Sequence, residues 1–241
     1  APFRQRAVDL LRARVKDRPF GLKDPRMSRL LPFWKSVFSR TELEPCYVIA
    51  VRNPLSIAHS LKNRDGFDAE KSYCLWLEYI RPMLSETAGA KRVVVDFDEL
   101  LAAPAAQLRR IADALDLPFF DQSPVVREYI EEFLDDGLRH ARFGLEDLRR
   151  DPAASPDVIA TYESMWRLAL DQTVFEAPEV TGQFEKLEER LQTCAPAFRY
   201  MDRCDNQINR LNQTVAERDG EIVGLNQAVA ERDGEIAGLN Q

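Results

Sequence analysis

The sequence predicts an α/β fold, in which a parallel sheet is flanked by helices and followed by a C-terminal coiled-coil helix. Two apolar runs, Cys46–Val51 and Arg92–Phe97, have the composition of strands buried on both faces of a parallel sheet. Amphipathic helical patterns alternate with these runs, which is typical of α/β domains. The tail repeats a 14-residue unit, and 14 residues make two heptads.

The other elements follow from hydrophobic periodicity and from two proline-based helix starts. Asp24-Pro25 and Asn53-Pro54 each place a capping side chain before a proline at the first helical position. Phe20–Leu22 is a short extended piece, so about three strands are expected, fewer than such sheets usually have. The predicted helices are Arg4–Lys16, Pro25–Leu30 continuing after Pro32 as Phe33–Phe38, Pro54–Lys62, Lys71–Glu86, Ala105–Leu115, Val125–Arg139, Pro156–Leu170 and Phe184–Leu191.

The tail, residues 201–241, is predicted to be a coiled-coil stalk that follows a globular domain of residues 1–200. Its repeats are Leu211–Gly224 and Leu225–Gly238. Every second d position is arginine, and four glycines at c and f weaken the helix by about 1 kcal/mol each. Three interpretations remain open: a self-associating stalk, a spacer to a further domain, and a solvated, frayed helix. The a positions are Ile208, Val215, Ile222, Val229 and Ile236, and the d positions are Leu211, Arg218, Leu225, Arg232 and Leu239.

Composition excludes several classes of protein. With 45% hydrophobic and 30% charged residues the chain can form a core, which excludes a disordered tail or a collagen. The net charge of -7 provides no basic field for nucleic acid, and no apolar run approaches the roughly 20 residues of a membrane span. The four cysteines lack a common metal-binding spacing, so we expect reduced, mostly buried thiols in a cytoplasmic protein, with metal ligation as the alternative.

The first candidate site is the segment from Arg52 to Ser60, which follows the first predicted strand. Ligands of parallel sheets bind beyond the carboxyl ends of the strands, where helix N-termini offer backbone N–H groups. The guanidinium of Arg52 suits a bidentate grip on a phosphate, and Ser60 lies two helical turns farther along. The alternative is structural: an Asn53 cap, a salt-bridged arginine and a serine bonded to its own helix.

The second candidate site is the segment Lys23-Asp24-Pro25-Arg26. Lys23 and Arg26 flank a predicted helix N-terminus, a combination that attracts anions. Asp24 is a candidate base, although its place directly before a proline favours a capping role.

Together these segments resemble the PAPS-dependent (3′-phosphoadenosine 5′-phosphosulfate-dependent) sulfotransferases, in particular the bacterial branch with a Lys-Asp-Pro-Arg segment. The order GLKDPRMSRLLPFW, YVIAVRNPLSIAHSL and VVVDFDELLAAP is similar to that of the family, as is FLDDGLRH at Phe133–His140. The similarity spans roughly residues 18–172. In the family, an arginine after a central strand and a serine eight residues later hold the 3′-phosphate of the cofactor, and Arg52 and Ser60 have this spacing.

The resemblance implies a P-loop-NTPase-like fold and transfer of a sulfuryl group from PAPS to a hydroxyl or amine, without a metal. Lys23 would lie near the sulfuryl group, and Arg26 would contribute to cofactor binding. The family's base is a glutamate at a position that is Leu22 here, so Asp24 or, less directly, His140 is the substitute. Stalks of this kind join sulfotransferase and glycosyltransferase domains in larger bacterial proteins, which favours a glycan acceptor.

The chain also departs from the family, because a first strand and a P-loop-like segment are missing before the matched region. We therefore expect an N-terminally truncated domain that is inactive alone. One alternative is a P-loop kinase-like phosphotransferase that uses ATP and Mg²⁺, with Asp96 or Asp98 as the magnesium ligand. The other is a noncatalytic assembly module in which the coiled coil carries the function.

Overall fold

The structure, a computed structural model, describes residues 2–15, 20–119, 123–134, 142–171, 175 and 177–239. It is mostly helical, with two short strands. The elements are α1 Pro2–Arg14, α2 Met27–Phe38, β1 Tyr47–Val51, α3 Pro54–Asp65, α4 Ala69–Ser85, β2 Arg92–Asp96, α5 Phe97–Ala102, α6 Pro104–Ala114, α7 Pro124–Glu128 continued by a π-helical turn Tyr129–Phe133, α8 Leu145–Arg150, α9 Pro156–Leu170 and α10 Pro178–Leu239.

The two strands form a parallel sheet, which confirms an α/β arrangement with parallel strands. Tyr47 of β1 is paired with Arg92 of β2, and the register continues to Val51 opposite Asp96. The extended piece predicted at Phe20–Leu22 is not a strand, and within the described ranges the sheet has two strands rather than about three. Phe20 and Leu22 are 43% and 39% exposed, so this segment lacks the burial that a central strand needs.

Burial differs between the strands. Residues 93–96 of β2 are buried on both faces, as predicted. The same prediction for Cys46–Val51 is wrong, because Cys46, Val48 and Ala50 are exposed while Ile49 and Val51 are buried. The reason is the position of the covering helix: Ile111 of α6 and Leu115 just after it pack against β2, not against the corresponding face of β1.

The helix start at Asn53-Pro54 is confirmed. Asn53 caps α3, Pro54 is at its first position, and Gly66 ends it with φ of 71°, a left-handed conformation that glycine adopts at low cost. The predicted start at Pro25 is wrong by two residues, since α2 begins at Met27. Helix α2 also continues through Pro32 without a break.

In the main core, α9 packs against β2, and Trp76 of α4 contacts Tyr162 of α9. The largest fully buried side chains of this core include Tyr73 of α4 and Met165 and Leu168 of α9. A second cluster joins Val8 and Leu11 of α1 to Val37 of α2. On the outer edge of β2, the Arg110 Nη2 of α6 donates a hydrogen bond to the carbonyl of Val94.

The chain divides into two compact units, unit 1 (residues 1–189) and unit 2 (residues 190–241). The division falls within α10, upstream of the boundary predicted after residue 200. The coiled coil itself stays a prediction.

Cys46 and Cys194 are exposed, and Cys74 and Cys204 are partly buried, so the expectation of mostly buried thiols is wrong; no disulfide joins these four. In the part of the chain that the structure describes, no helix has both the length and the apolar character needed to cross a membrane.

Candidate functional site

The candidate site lies at the carboxyl edge of the sheet, where β1 and β2 end side by side. Because Val51 is paired with Asp96 in a parallel register, the residues that follow each strand emerge at the same edge. Arg52 and Asn53 follow β1, and Phe97 begins α5 directly after β2. The sequence predicted Arg52 as a functional residue and Asn53 as a helix cap, and it left Phe97 without a role.

Asn53 fixes the geometry of the strand-to-helix turn. Its side chain is fully buried, and its Oδ1 accepts a hydrogen bond of 2.9 Å from the backbone N–H of Leu55. Its Nδ2 donates to the carbonyls of Phe143, at 2.8 Å, and Gly144, at 3.0 Å. One side chain therefore caps α3 and ties it to the segment that precedes α8, which the sequence could not show.

Arg52 lies against an aromatic ring at the edge of the sheet. Its guanidinium carbon is 4.6 Å from the centre of the Phe97 ring, a cation–π contact, and the side chain is half-buried. Such a contact restrains the guanidinium, which carries its N–H donors in one plane. The contact with Phe97 therefore holds the N–H donors of Arg52 at the junction of β1 and α3, where they could bind an anion.

Ser60 is exposed on α3, two turns from its start. At 1.5 Å per residue, it lies about 9 Å along the helix axis from Pro54. Ser56, one turn earlier, is only 1% exposed, and its Oγ has no hydrogen-bond partner among the described residues. Arg52 and Ser60 thus belong to one strand–helix junction, but no hydrogen bond joins them within the described ranges.

Asp96 ends β2 as a buried carboxylate with its oxygens already engaged. Its Oδ1 accepts from the backbone N–H groups of Asp98, at 2.9 Å, and Glu99, at 3.2 Å, and its Oδ2 accepts from the hydroxyl of Tyr162 at 3.2 Å. Burial raises the pKa of Asp96, while these hydrogen bonds oppose the increase. Asp96 therefore caps α5 and anchors α9; its 66-residue separation from Tyr162 gave no sequence signal.

The second candidate segment is a local ion pair. The Nε and Nη2 of Arg26 donate to the two carboxylate oxygens of Asp24 at 3.0 and 2.9 Å, and the backbone N–H of Arg26 donates to Oδ1 at 2.7 Å. These hydrogen bonds to Arg26 lower the pKa of Asp24 to about 2. Asp24 is thus a weak base near neutral pH, and it holds Arg26 instead of capping α2. Lys23 is exposed beside the pair.

The two candidate segments, 23–26 and 52–60, have different neighbours among the described residues. Arg29, one turn into α2, lies 5.9 Å from the centre of the Tyr79 ring on α4, which places the start of α2 beside that helix. Among the described residues, no hydrogen bond or ion pair links Lys23, Asp24 or Arg26 with Arg52 or Ser60. His140, and most of the stretch Phe133–His140, lie outside the described residues.

The described ranges contain no group of three or more histidine, cysteine, aspartate or glutamate side chains arranged to hold a metal ion. Comparisons of the chain with known protein families, with curated proteins and with solved structures found no match.

Proposed function

We propose that this chain is the nucleotide-binding part of a PAPS-dependent sulfotransferase on a P-loop-NTPase-like sheet. It would transfer a sulfuryl group from PAPS to a hydroxyl or amine of a carbohydrate acceptor. One observation carries the proposal: Arg52 follows a parallel strand and Ser60 lies eight residues later, on the helix that the strand enters. This spacing is the one by which the chain resembles that family.

The junction between β1 and α3 has the properties of a phosphate site. The N-terminus of α3 carries partial positive charge, and the buried Asn53 holds its position. The contact with Phe97 orients the guanidinium of Arg52, so less side-chain entropy is lost when it grips a phosphate. The 3′-phosphate of the nucleotide would accept hydrogen bonds from Arg52 and from the exposed hydroxyl of Ser60.

The transfer itself breaks one bond to sulfur and forms another. The acceptor oxygen or nitrogen attacks sulfur, and the bond from sulfur to the bridging oxygen of the 5′-phosphate breaks, releasing 3′,5′-ADP. Cationic side chains would stabilise the charge that develops on the leaving phosphate, and the exposed Lys23 is the candidate for this role. Arg26 is held by Asp24, which limits its contribution to cofactor binding.

The proton of the acceptor needs a base other than Asp24. A carboxylate with a pKa of about 2 binds a proton poorly near neutral pH. We therefore assign Asp24 to positioning Arg26, and His140 remains the base that the sequence offers.

The kinase-like alternative receives less support from the geometry. A magnesium ligand needs an accessible carboxylate oxygen, and Asp96 is 1% exposed with both oxygens engaged. This leaves the half-buried Asp98 as the candidate ligand of that alternative. Binding of ATP with Mg²⁺, compared with binding of 3′,5′-ADP without metal, separates the two functions.

Calorimetric titration with 3′,5′-ADP and with 5′-AMP tests the proposed site. The two nucleotides differ by the 3′-phosphate alone, so Arg52→Ala is expected to weaken binding of 3′,5′-ADP without a comparable effect on 5′-AMP. Loss of a charge-assisted hydrogen bond of about 1.5 to 3 kcal/mol corresponds to a decrease in affinity of about 10- to 150-fold. Ser60→Ala removes one neutral donor, and we expect a decrease of about 2- to 10-fold.

Arg64→Ala is the matched control, because Arg64 is on the last turn of α3 and pairs with Asp65. It should leave the affinity for both nucleotides unchanged. Equal binding of 3′,5′-ADP by the Arg52→Ala variant and the unchanged chain would refute the assignment of the site. Tighter binding of ATP with Mg²⁺ than of 3′,5′-ADP would favour the kinase-like function instead.

A further inference from the structure

The helical unit of residues 190–241 exposes a regular stripe of large apolar side chains. They recur at spacings of three, four or seven residues, so they lie on one side of the helix. A single helix cannot bury such a stripe, and its exposure to water is unfavourable. The exposed fractions are 53% for Ile208, 57% for Leu211, 57% for Val215, 53% for Ile222, 67% for Leu225 and 57% for Val229.

We propose that this stripe pairs with the same stripe of a second copy of the chain in a parallel, in-register, two-stranded coiled coil. The a and d positions, which we call the seam, extend upstream of the repeats to Met201 and Cys204. This proposal does not depend on the sulfotransferase activity. The seam comprises Met201, Cys204, Ile208, Leu211, Val215, Arg218, Ile222, Leu225, Val229, Arg232, Ile236 and Leu239.

The two seam arginines favour this register over a shift by one heptad and over an antiparallel pair. When two copies pair in parallel and in register, each layer meets itself, and Arg218 and Arg232 occupy two of the twelve layers. A shift by one heptad, or an antiparallel pair over the same seam, places an arginine opposite an apolar residue in four layers. Each such layer loses an apolar contact and buries a charge without a partner, which is costly. Of these three arrangements, the in-register pair therefore keeps the most apolar layers.

The charges beside the arginines complement such a pair. Asp219 and Asp233 directly follow the seam arginines and occupy e positions, which flank the d layer of the opposite helix in a parallel pair. Arg218 also pairs with Glu221 on its own helix, with Nη1 and Oε2 3.2 Å apart. Each arginine layer would thus be surrounded by carboxylates from both copies, which opposes the repulsion between the two guanidinium groups.

The glycines are placed where they spare the pairing face. Gly220 and Gly234 are at f, and Gly224 is at c, so all three lie outside the seam. They weaken an isolated helix without removing apolar contacts between two helices. Pairing therefore adds more to the stability of this helix than it would to that of a glycine-free helix, as expected for an interaction surface.

Light scattering coupled to size exclusion, with the full 241-residue chain, tests the proposal. The expected mass is twice 27.6 kDa. Ile222→Lys puts a charge into an apolar layer and is expected to weaken association at least 100-fold, giving the mass of a single chain. Val223→Lys is the matched control, since Val223 is adjacent and 57% exposed but occupies a b position, and it should leave the mass unchanged.

Two results would overturn the coiled-coil pairing. One is a single-chain mass for the unchanged protein at about 100 μM, which is about 100 times the Kd of a pair of micromolar affinity. The other is an equal effect of both substitutions, which would show that general charge on the helix, and not the seam, controls the mass. Circular dichroism of each variant verifies that helix content is retained.

Cys204 reports the orientation of the pair. In a parallel, in-register pair it faces its counterpart across a d layer, at a Cα separation of about 6 Å that suits a disulfide. Mild oxidation is then expected to give a covalent dimer that Cys204→Ser abolishes and Cys46→Ser retains. A pair that forms no disulfide through Cys204 would refute the parallel, in-register arrangement.

Discussion

Replacement of Asn53 by alanine is expected to destabilise unit 1 strongly, because three hydrogen bonds depend on one fully buried side chain. The Oδ1 caps α3 through Leu55, and the Nδ2 satisfies the carbonyls of Phe143 and Gly144. Loss of an N-cap costs about 1 kcal/mol, and each lost hydrogen bond costs a similar amount. The free energy of unfolding should therefore fall by about 3 kcal/mol, which lowers the melting temperature by about 6 to 12 °C.

Tryptophan fluorescence during urea denaturation measures this change selectively. All three tryptophans, Trp34, Trp76 and Trp166, lie in unit 1, so the signal follows this unit and not the helix of unit 2. The midpoint and slope of the transition give the free energy of unfolding for each variant.

Two further variants separate the functions of Asn53. Asn53→Ser keeps a capping oxygen but lacks the amide donors, so we expect a loss of about 2 kcal/mol. Asn63→Ala is the control, because Asn63 is an exposed residue of the same helix whose amide contacts His59 at 3.4 Å. It should change stability by less than about 0.5 kcal/mol. If Asn53→Ala falls within the same range, the reasoning about this buried amide is wrong.

Two predictions concern the pKa values of carboxylates. Arg26→Ala should raise the pKa of Asp24 from about 2 towards 3.8, measured by NMR titration, whereas Arg29→Ala should not; an unchanged value in both would show that Arg26 is not the cause. Tyr162→Phe removes a donor that favours ionised Asp96, so it should destabilise unit 1 by about 1 kcal/mol and raise the pKa of Asp96 further. A carboxyl group whose pKa is raised by folding lowers the free energy of unfolding as the pH increases through that pKa. In urea denaturation, Tyr162→Phe should therefore lower the free energy of unfolding more at about pH 8 than at about pH 4. An equal decrease at both pH values would contradict this coupling.

Local chemistry in the sequence was sufficient to predict the β1–α3 junction. An asparagine before a proline sets a helix start, and Gly66 provides the left-handed residue that ends the helix. The cap acts over a few residues, so a single sequence shows it, whereas the predicted end at Lys62 falls three residues before the observed end at Asp65. The alternation of apolar runs with amphipathic segments likewise predicted parallel strands.

Features that depend on distant parts of the chain could not be predicted in the same way. The apolar run of β1 showed that the strand can be buried, but not that α6 covers β2 and leaves Val48 exposed. One local feature was also missed: at Asp24, the sequence favoured a capping role, whereas the carboxylate binds Arg26 two residues later. The hydrogen bond between Tyr162 and Asp96 joins residues that share no periodic pattern.

The exposed face of β1 has a consequence for handling the protein. A short apolar strand with accessible Val48 and Ala50 is a template for pairing between unfolded or crowded chains, and such strands are usually protected by flanking charges and prolines. Here Pro45 precedes the strand and Arg52 follows it. Arg52→Ala would remove a protective charge together with the proposed phosphate ligand, whereas Arg52→Lys removes the bidentate fork and keeps the charge. The lysine variant therefore separates aggregation from loss of nucleotide binding.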